Sequence, residues 1–574
     1  MGVPGFFLWL YKKYKGSRFV FEKEKLSKKE NGDLIKEINK IDYIMLDANS
    51  LVHPVCFKVL DDNPKLKDKA KLEAKMLVAV TEYIDKLVKY VDPKTGIYIA
   101  IDGVAPIAKI KQQRSRRFKS AHDRKLKANI KKKHKQDVPY FWNNSAITPG
   151  TEFMDKLTKT LIEYSKKQSV KVHFSSANTP SEGEHKILDF IKENKKFSYV
   201  IYGLDADLLF LAMAAQTDKI YLLRESVHLR RETFGSLSLV SIDVMKEQVV
   251  KSIKPIIKKE LGDDELKMVP MDIDLINDFI FVCFLLGNDF LPHLPSIDIS
   301  NKGLENILQA YSYTLVSFGG ITCIKVKNKK VSINQEFMKS LISMMSSQEE
   351  LYLIENFSKK KRRMRYGGDD AYEKEMFRIE NLMFKIDDPV QLGSDSHVEW
   401  RKRYYQHYFH TNETEIDKYA FTMSKEYFRG MVWVANYYFD TCPSWDWYYP
   451  YDHGPFISDL SDSLTKISLD SFKFKKGKPI VPYVQLLCVL PPQSADLLPK
   501  SLQKIMLNSK SSLIHLYPTD FKQDFLNKNR YWQAIPHLPH LEIASVIHSY
   551  SKYKNKLSKN ELERTKMQKV YQFN

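Results

Sequence analysis

Tyr199-Val200-Ile201-Tyr202-Gly203-Leu204-Asp205-Ala206-Asp207-Leu208-Leu209-Phe210 is the stretch that decides the fold. Four apolar, β-prone residues end on a glycine and a pair of aspartates at i, i+2, and an apolar run resumes behind them. Acids at the carboxyl end of a buried strand are what an open parallel sheet presents to a ligand. The same arrangement recurs upstream. Tyr43 to Leu46 is followed by Asp47, Ile97 to Ile101 by Asp102, and Val170 to Phe174 by Ser181-Glu182-Gly183-Glu184-His185. Ile220 to Leu223 reads as a further buried strand. Between the first two strands Leu72, Met76, Val80, Ile84, Leu87 and Val91 recur every three or four residues, one apolar helical face. Strand, helix, strand in this rhythm predicts an α/β fold with a doubly wound, mostly parallel sheet.

The strand-end acids converge on one crevice in such a sheet. Asp289, behind the apolar run Phe279 to Leu286 and the turn-like Gly287-Asn288, joins Asp47, Asp102, Glu182, Glu184, Asp205 and Asp207 as a seventh. Any one of them alone reads equally well as a helix cap. Together they would repel one another without cations, and hard oxygen ligands select Mg²⁺ or Mn²⁺. Two such ions about 3.5 to 4 Å apart can activate water and stabilise the leaving oxygen of a phosphodiester.

The charge balance points to an anionic partner. The chain has 574 residues, with 90 Lys and Arg against 70 Asp and Glu, a formal +20, and basic side chains that neutralise phosphates release counterions. Lys109 to Lys135 holds thirteen of the basic residues and one acid, Asp123. Within it Lys109, Gln113, Arg116 and Arg117 fall on one helical face. The segment begins seven residues after Asp102, so a phosphate gripped there lies near the acids. Arg114, Arg116, Arg117 and Arg124 cluster in it, where planar guanidinium forks suit phosphate oxygens.

Other classes fall away. No apolar run approaches the roughly 18 residues of a membrane span. The basic residues Lys12, Lys13 and Lys15 follow the apolar N-terminus, the reverse of a signal peptide. Five cysteines without CxxC or knuckle spacing fit a reducing compartment, so the expectation is cytoplasmic or nuclear, not secreted. Aromatic content of 12% excludes a disordered polymer.

Beyond Pro295 helical stretches take over, Gly303 to Leu315 and Asn334 to Phe357. A charged stretch from Ser358 to Lys374 then reads as a solvated linker or exposed helix, with a nuclear-localisation signal or an extra RNA contact as alternatives. Residues Trp433 to Phe456 hold ten aromatics in 24 positions, most of them core by density. Trp447, ahead of Trp445, is the candidate base-stacking platform among them, since stacking tolerates any sequence.

At this point a resemblance emerges. Met1-Gly2-Val3-Pro4, Leu46-Asp47-Ala48-Asn49 with His53, Asp102-Gly103-Val104-Ala105-Pro106 through Gln112-Gln113-Arg114-Ser115-Arg116-Arg117-Phe118, and Ile147-Thr148-Pro149-Gly150-Thr151-Glu152-Phe153-Met154 closely resemble the XRN family of 5′→3′ exoribonucleases. So do Glu182-Gly183-Glu184-His185-Lys186, Gly203 to Leu208, Leu286-Gly287-Asn288-Asp289-Phe290-Leu291-Pro292, Cys442 to Tyr451 and Leu490-Pro491-Pro492. The resemblance implies a PIN/FEN-like nuclease core, metal binding by the seven acids, and a 5′-monophosphate pocket made by Lys109, Gln113, Arg116 and Arg117. It also implies that His53 stacks on a base near the scissile bond, against the alternative of a buried or capping histidine.

Two departures stand out: Ile107 where a basic residue is expected, and Ser181 where the family has glycine. The chain also stops soon after the second conserved segment, whereas the long cytoplasmic members of the family continue through further domains, so the regulation and partner docking those domains carry are not assumed for it. The expected divisions are a nuclease domain over 1–330, a helical linker region with the basic stretch over 331–398, and an aromatic-rich second segment over 399–574.

The leading expectation is a processive 5′→3′ exoribonuclease on single-stranded, 5′-monophosphorylated RNA. It would use two Mg²⁺ or Mn²⁺ ions, release nucleoside 5′-monophosphates in RNA decay, and act as a monomer with no membrane partner. A structure-specific 5′ flap endonuclease on DNA shares the acidic core but not a closed phosphate pocket. A non-enzymatic RNA-binding scaffold is at odds with seven retained acids.

Overall fold

The computed structural model describes residues 9, 21–22, 40–228, 231–261, 270–327, 330–360 and 367–573. Its strands are β1 (Phe21–Glu22), β2 (Tyr43–Asp47), β3 (Gly96–Ala100), β4 (Lys171–Ser175), β5 (Tyr199–Tyr202), β6 (Ile220–His228) and β7 (Arg231–Ser241). Two small pairs follow, β8 (Ile324–Lys327) with β9 (Lys330–Ile333) and β10 (Gln523–Asp524) with β11 (Ile535–Pro536), and then β12 (Tyr571–Phe573). One sheet of eight strands runs in the order β1-β7-β6-β5-β2-β3-β4-β12. The five central strands, β6 to β4, are parallel, while β7 and β12 pair antiparallel on either side of them.

The chain winds outward through β2, β3 and β4, then returns to the far side of β2 for β5 and β6. The reversal between β2 and β5 opens a crevice at their carboxyl ends, where open α/β sheets bind ligands. Central strands read as continuous apolar runs because both faces are covered. Tyr43, Met45, Tyr199 and Ile201 pack into one core with the helices Gly183–Glu193, Asp207–Ala214 and Asp272–Cys283. Ile44, Leu46, Val200 and Tyr202 pack into the other with Ala48–Asp62, Lys69–Val91 and Glu152–Ser165. The Lys69–Val91 helix buries all six residues of the apolar face read from its spacing. Asp68 caps its start by accepting from the amides of Ala70 and Lys71.

The second half of the chain is divided between the two cores. Ile416–Phe439 and Ile457–Leu464 join the first, and Pro482–Val489 joins the second, packed against the long basic helix Ile107–Lys133.

Some expectations change in detail. Asn334 to Phe357 is two helices, Gln335–Ser346 and Glu349–Lys360. The break at Ser347 and Gln348 turns Glu349 inward, where it accepts from Ser296 Oγ (2.9 Å) and from the amides of Ile457 (2.8 Å) and Ser458 (2.9 Å). Of the charged stretch, residues 361–366 lie outside the described residues. The helix after it, Ala371–Glu380, is pinned to the basic helix through Glu375, which meets Lys133 (2.9 Å) and His134 (2.5 Å). Among the described residues no helix is long and apolar enough to cross a membrane.

Candidate active site

Each central strand delivers its acid to the crevice in a way set by local sequence. Asp47 is the last residue of β2, and Ser50, one helical turn on, donates to its Oδ2 (2.5 Å) while accepting from the amide of Leu204 in the β5 loop (3.4 Å). Asp102 follows β3, with its amide on Asn49 Oδ1 (3.2 Å) and its own Oδ1 accepting from the Gly183 amide (2.7 Å). That amide belongs to the first turn of the helix Gly183–Glu193, whose N-terminus favours a carboxylate.

Gly183 is required by proximity. A Cβ there would sit 2.9 Å from Asp47 Oδ1 and 3.3 Å from Asp102 Oδ1. Ser181 adopts φ +96°, a region that glycine enters freely and serine at a cost. The glycine-type loop is therefore kept despite the serine, tied by Gly103 N to Ser181 O and Ser181 N to Val104 O, both 2.9 Å.

All seven acids meet. Burial, with Asp102 and Asp205 close by, pushes the Asp47 carboxyl well above the ordinary range. Burial likewise raises Glu184, with Glu182, Asp207 and Asp205 adding to the effect, and it raises Glu182 against the pull of Lys109. Asp207 rises to about 7 through burial and Asp289. Asp289 moves the other way: against its burial, the Lys109 ammonium holds it below the usual range. Glu182, Glu184 and His185 each bring a ligand atom within 4.8 Å of the others.

Lys109 lies inside this cluster, its Nζ 2.5 Å from Glu182 Oε2 and 2.6 Å from Asp289 Oδ2. Burial alone would lower its pKa, but Asp289, Glu182 and Glu184 raise it well above normal. A built-in ammonium thus stands where carboxylates need a cation. The seven carboxylates are hard oxygen donors, and burial disfavours the charge of Asp47, Glu182, Glu184 and Asp207, which fits divalent ions.

The rest of the basic face sits beside it. Arg117 is partly buried; burial and the neighbouring Arg116, against the pull of Asp102, lower its pKa to about 9. Its Nη1 has no hydrogen-bond partner among the described residues. Arg116 is exposed. His53, from the helix Ala48–Asp62, falls to about 4 through burial and the charges of Arg116 and Arg117. Gln113 Oε1 accepts from Gln485 Nε2 at 3.2 Å.

Not every arginine of the segment faces this way. Arg114 is buried and gives its guanidinium to the carbonyls of Cys488 (2.9 Å) and Leu516, while Arg124 lies 3.5 Å over the Phe141 ring. Ile107 is buried too, and its amide donates to the carbonyl of Trp445 (3.0 Å).

The two tryptophans part company. Trp447 is 8% exposed and stacks on Trp433, with ring centroids 5.3 Å apart at 29°. Trp445 is half-buried on the loop that holds the start of the basic helix. Three residues that sequence reasoning did not single out also shape the site. Ser50 lies inside a quoted motif's neighbourhood and was findable by its adjacency to Asp47. Tyr437, which donates to Glu182 Oε1 (3.0 Å) and lies against His185 with centroids 3.8 Å apart, is 255 residues from its partner and left no local signal. Gln485 is still more remote from Gln113, at 372 residues.

Comparison with known sequences adds an independent line. The pattern described as XRN 5′-3′ exonuclease N-terminus matches residues 1–226, and that described as Xrn1 helical domain matches 270–384 and 369–573. The chain is 28% identical to 5′-3′ exoribonuclease 2 of Arabidopsis thaliana over 98% of its own length and 68% of that protein. It is 29% identical to 5′-3′ exoribonuclease 2 of Candida albicans, covering 98% and 73%. To 5′-3′ exoribonuclease 1 of Homo sapiens it is 29% identical, covering 98% and 35%. Flap endonuclease-1 from Methanococcus jannaschii overlays with a TM-score of 0.26 at 12% identity, over 54% of this chain and 95% of that one.

Proposed function

Because the chain belongs to the XRN family of 5′-3′ exonucleases and is an exoribonuclease of that kind, we propose that it degrades single-stranded RNA from a 5′-monophosphate, processively, one nucleoside 5′-monophosphate at a time. The observation that carries this reading is a buried, unpartnered Arg117 donor on the same helix as Lys109, which reaches into the acids. Terminal phosphate recognition and hydrolytic chemistry are thereby one helical stretch apart.

Asp47, Asp102, Glu182, Glu184, Asp205, Asp207 and Asp289 would hold divalent cations, Mg²⁺ or Mn²⁺ and two in number. Bound there, such ions lower the pKa of water and neutralise charge developing on the phosphodiester. Gln113, Arg116 and Arg117 hold the terminal phosphate, with Lys109 between pocket and acids. The arginine forks favour a compact dianion, so a cap or triphosphate fits poorly. His53 stacks on the first base. Trp445, with part of its ring accessible, is better placed than the covered Trp447 to extend that stack. Selection then rests on phosphate and stacking, with no base readout.

The test is incubation of 5′-monophosphate, 5′-triphosphate and capped RNAs, and of a DNA flap, with Mg²⁺. Mononucleotides should come from the monophosphate RNA alone. Asp205→Ala with Asp207→Ala should abolish them, and activity surviving in that double variant would remove the acids from the chemistry.

A further inference from the structure

We infer that Gln485 is a positioning residue that fixes which end of the Gln113 amide faces the terminal phosphate; the inference rests on the phosphate-pocket reading above. The oxygen and nitrogen of an amide side chain are normally assigned from their partners. Here the assignment is forced by a group that cannot be reversed. The backbone N–H of Ala105 is a donor only, and it lies 3.2 Å from Gln485 Oε1. That end of Gln485 is therefore the acceptor, and its other end, Nε2, must donate. Nε2 lies 3.2 Å from Gln113, so the Gln113 atom it meets must be the oxygen. The Gln113 NH₂ is left on the opposite side, without a partner among the described residues, and offers two protons to an anion.

The relay is rigidly mounted. Gln485 is 1% exposed, on the helix Pro482–Val489 that packs against the basic helix, and Ala105 immediately precedes the Pro106 that caps that basic helix. With the relay broken, Gln113 is free to turn its oxygen towards the phosphate, where two acceptors repel. A hydrogen bond to a charged group is worth roughly ten- to hundredfold in affinity, and an amide free to flip forfeits part of it.

The experiment is a double-mutant cycle on binding and turnover. Dissociation constants for a 5′-monophosphate and a 5′-hydroxyl oligoribonucleotide are measured with divalent ions chelated, and KM and kcat with Mg²⁺. Gln485→Met should cut the preference for the phosphorylated end about three- to tenfold, through KM with kcat retained. In a Gln113→Met background the same change should have no further effect on that preference. Equal loss in both backgrounds would make Gln485 merely structural and overturn the relay. No loss of preference in Gln113→Met itself would overturn the pocket reading and the relay with it. Should Gln485→Met not fold, Gln485→Glu retains the acceptor for Ala105. Its loss must then be at least about threefold larger with Gln113 present than without it, and a smaller difference refutes the relay.

Discussion

Replacing Arg117 by methionine should stabilise the RNA-free protein while weakening its hold on a phosphorylated end. The guanidinium sits partly buried beside Arg116, its Nη1 unpartnered, and its pKa falls from 12.5 to about 9. At about 1.36 kcal/mol per pKa unit, that depression corresponds to ~5 kcal/mol against the charged form. Screening by water at a partly exposed group leaves about a third of that, ~1.5 kcal/mol, as the cost of carrying this charge in the fold. Methionine keeps the apolar stem and removes the charge, so thermal unfolding without ligand should shift upward. Conversely, a lost charge-assisted bond of ~1.5–3 kcal/mol should weaken binding of a 5′-monophosphate RNA about ten- to hundredfold. Inorganic phosphate should raise the unfolding temperature of the parent protein by mass action and leave Arg117→Met nearly unmoved. Equal phosphate stabilisation of both proteins, or a variant less stable than the parent, would refute the reasoning that Arg117 awaits an anion.

Tyr437→Phe removes the donor to Glu182 Oε1 with little change in volume, so Mn²⁺ affinity by titration calorimetry should drop about tenfold while the fold stays intact; unchanged affinity would mean that this hydrogen bond does not shape the ligand. Glu349→Ala strips three donors of their acceptor and should cost about 3 kcal/mol in denaturant unfolding, against under 1 kcal/mol for a surface glutamate. Asp278 offers a pH test. Burial lifts its carboxyl to about 7, against the amides of Cys323 and Ile324 and the Tyr311 hydroxyl that bond it. With a folded pKa above the unfolded one, its contribution is complete below pH ~4 and is lost as pH rises towards 7, by at most ~4 kcal/mol. Unfolding midpoints compared at pH 5 and pH 7 should therefore differ less in Asp278→Asn than in the parent protein, and an undiminished difference would rule out Asp278 as its source.

What the sequence revealed tracks how local each determinant is. The Tyr199 to Tyr202 strand needed only its own apolar run and the glycine and acids behind it, and its bounds are unchanged in the structure. β2, β3 and β4 shift by a residue, because a run buried on both faces does not mark where pairing stops, and β6 continues past Leu223 to His228 along β7. β7 and the edge strand β12 escaped notice: antiparallel pairing at the margin of a sheet is decided by the partner strand, and Tyr571–Phe573 acquires its place only by meeting Phe174 and its neighbours. The seven acids were legible because each ends a strand or a turn. Arg114 clusters in sequence with Arg116 and Arg117 yet is turned away from them, because clustering does not reveal what packs against a side chain, here the carbonyls of Cys488 and Leu516. Trp445 and Trp447 lie two residues apart in a loop without regular period, so only tertiary packing on Trp433 separates the covered ring from the accessible one.

The second half of the chain reaches the site at three points from two separate stretches, the aromatic run around Tyr437 and Trp445 and the helix that carries Gln485. Tyr437 comes from one core and braces Glu182; Gln485 comes from the other and holds Ala105 and Gln113; the Trp445 carbonyl receives the first amide of the basic helix. A parallel sheet is stable only with both faces covered, and here the 416–464 helices and the 482–489 helix complete opposite faces of the same sheet. β12 then extends that sheet beyond β4. The acids could be set at strand ends by the first segment alone, but the brace on Glu182 and the partner of Gln113 on the basic helix come from residues more than 250 positions away. The two matched segments therefore pack together around the crevice, and the placement of the basic helix beside the acids depends on both.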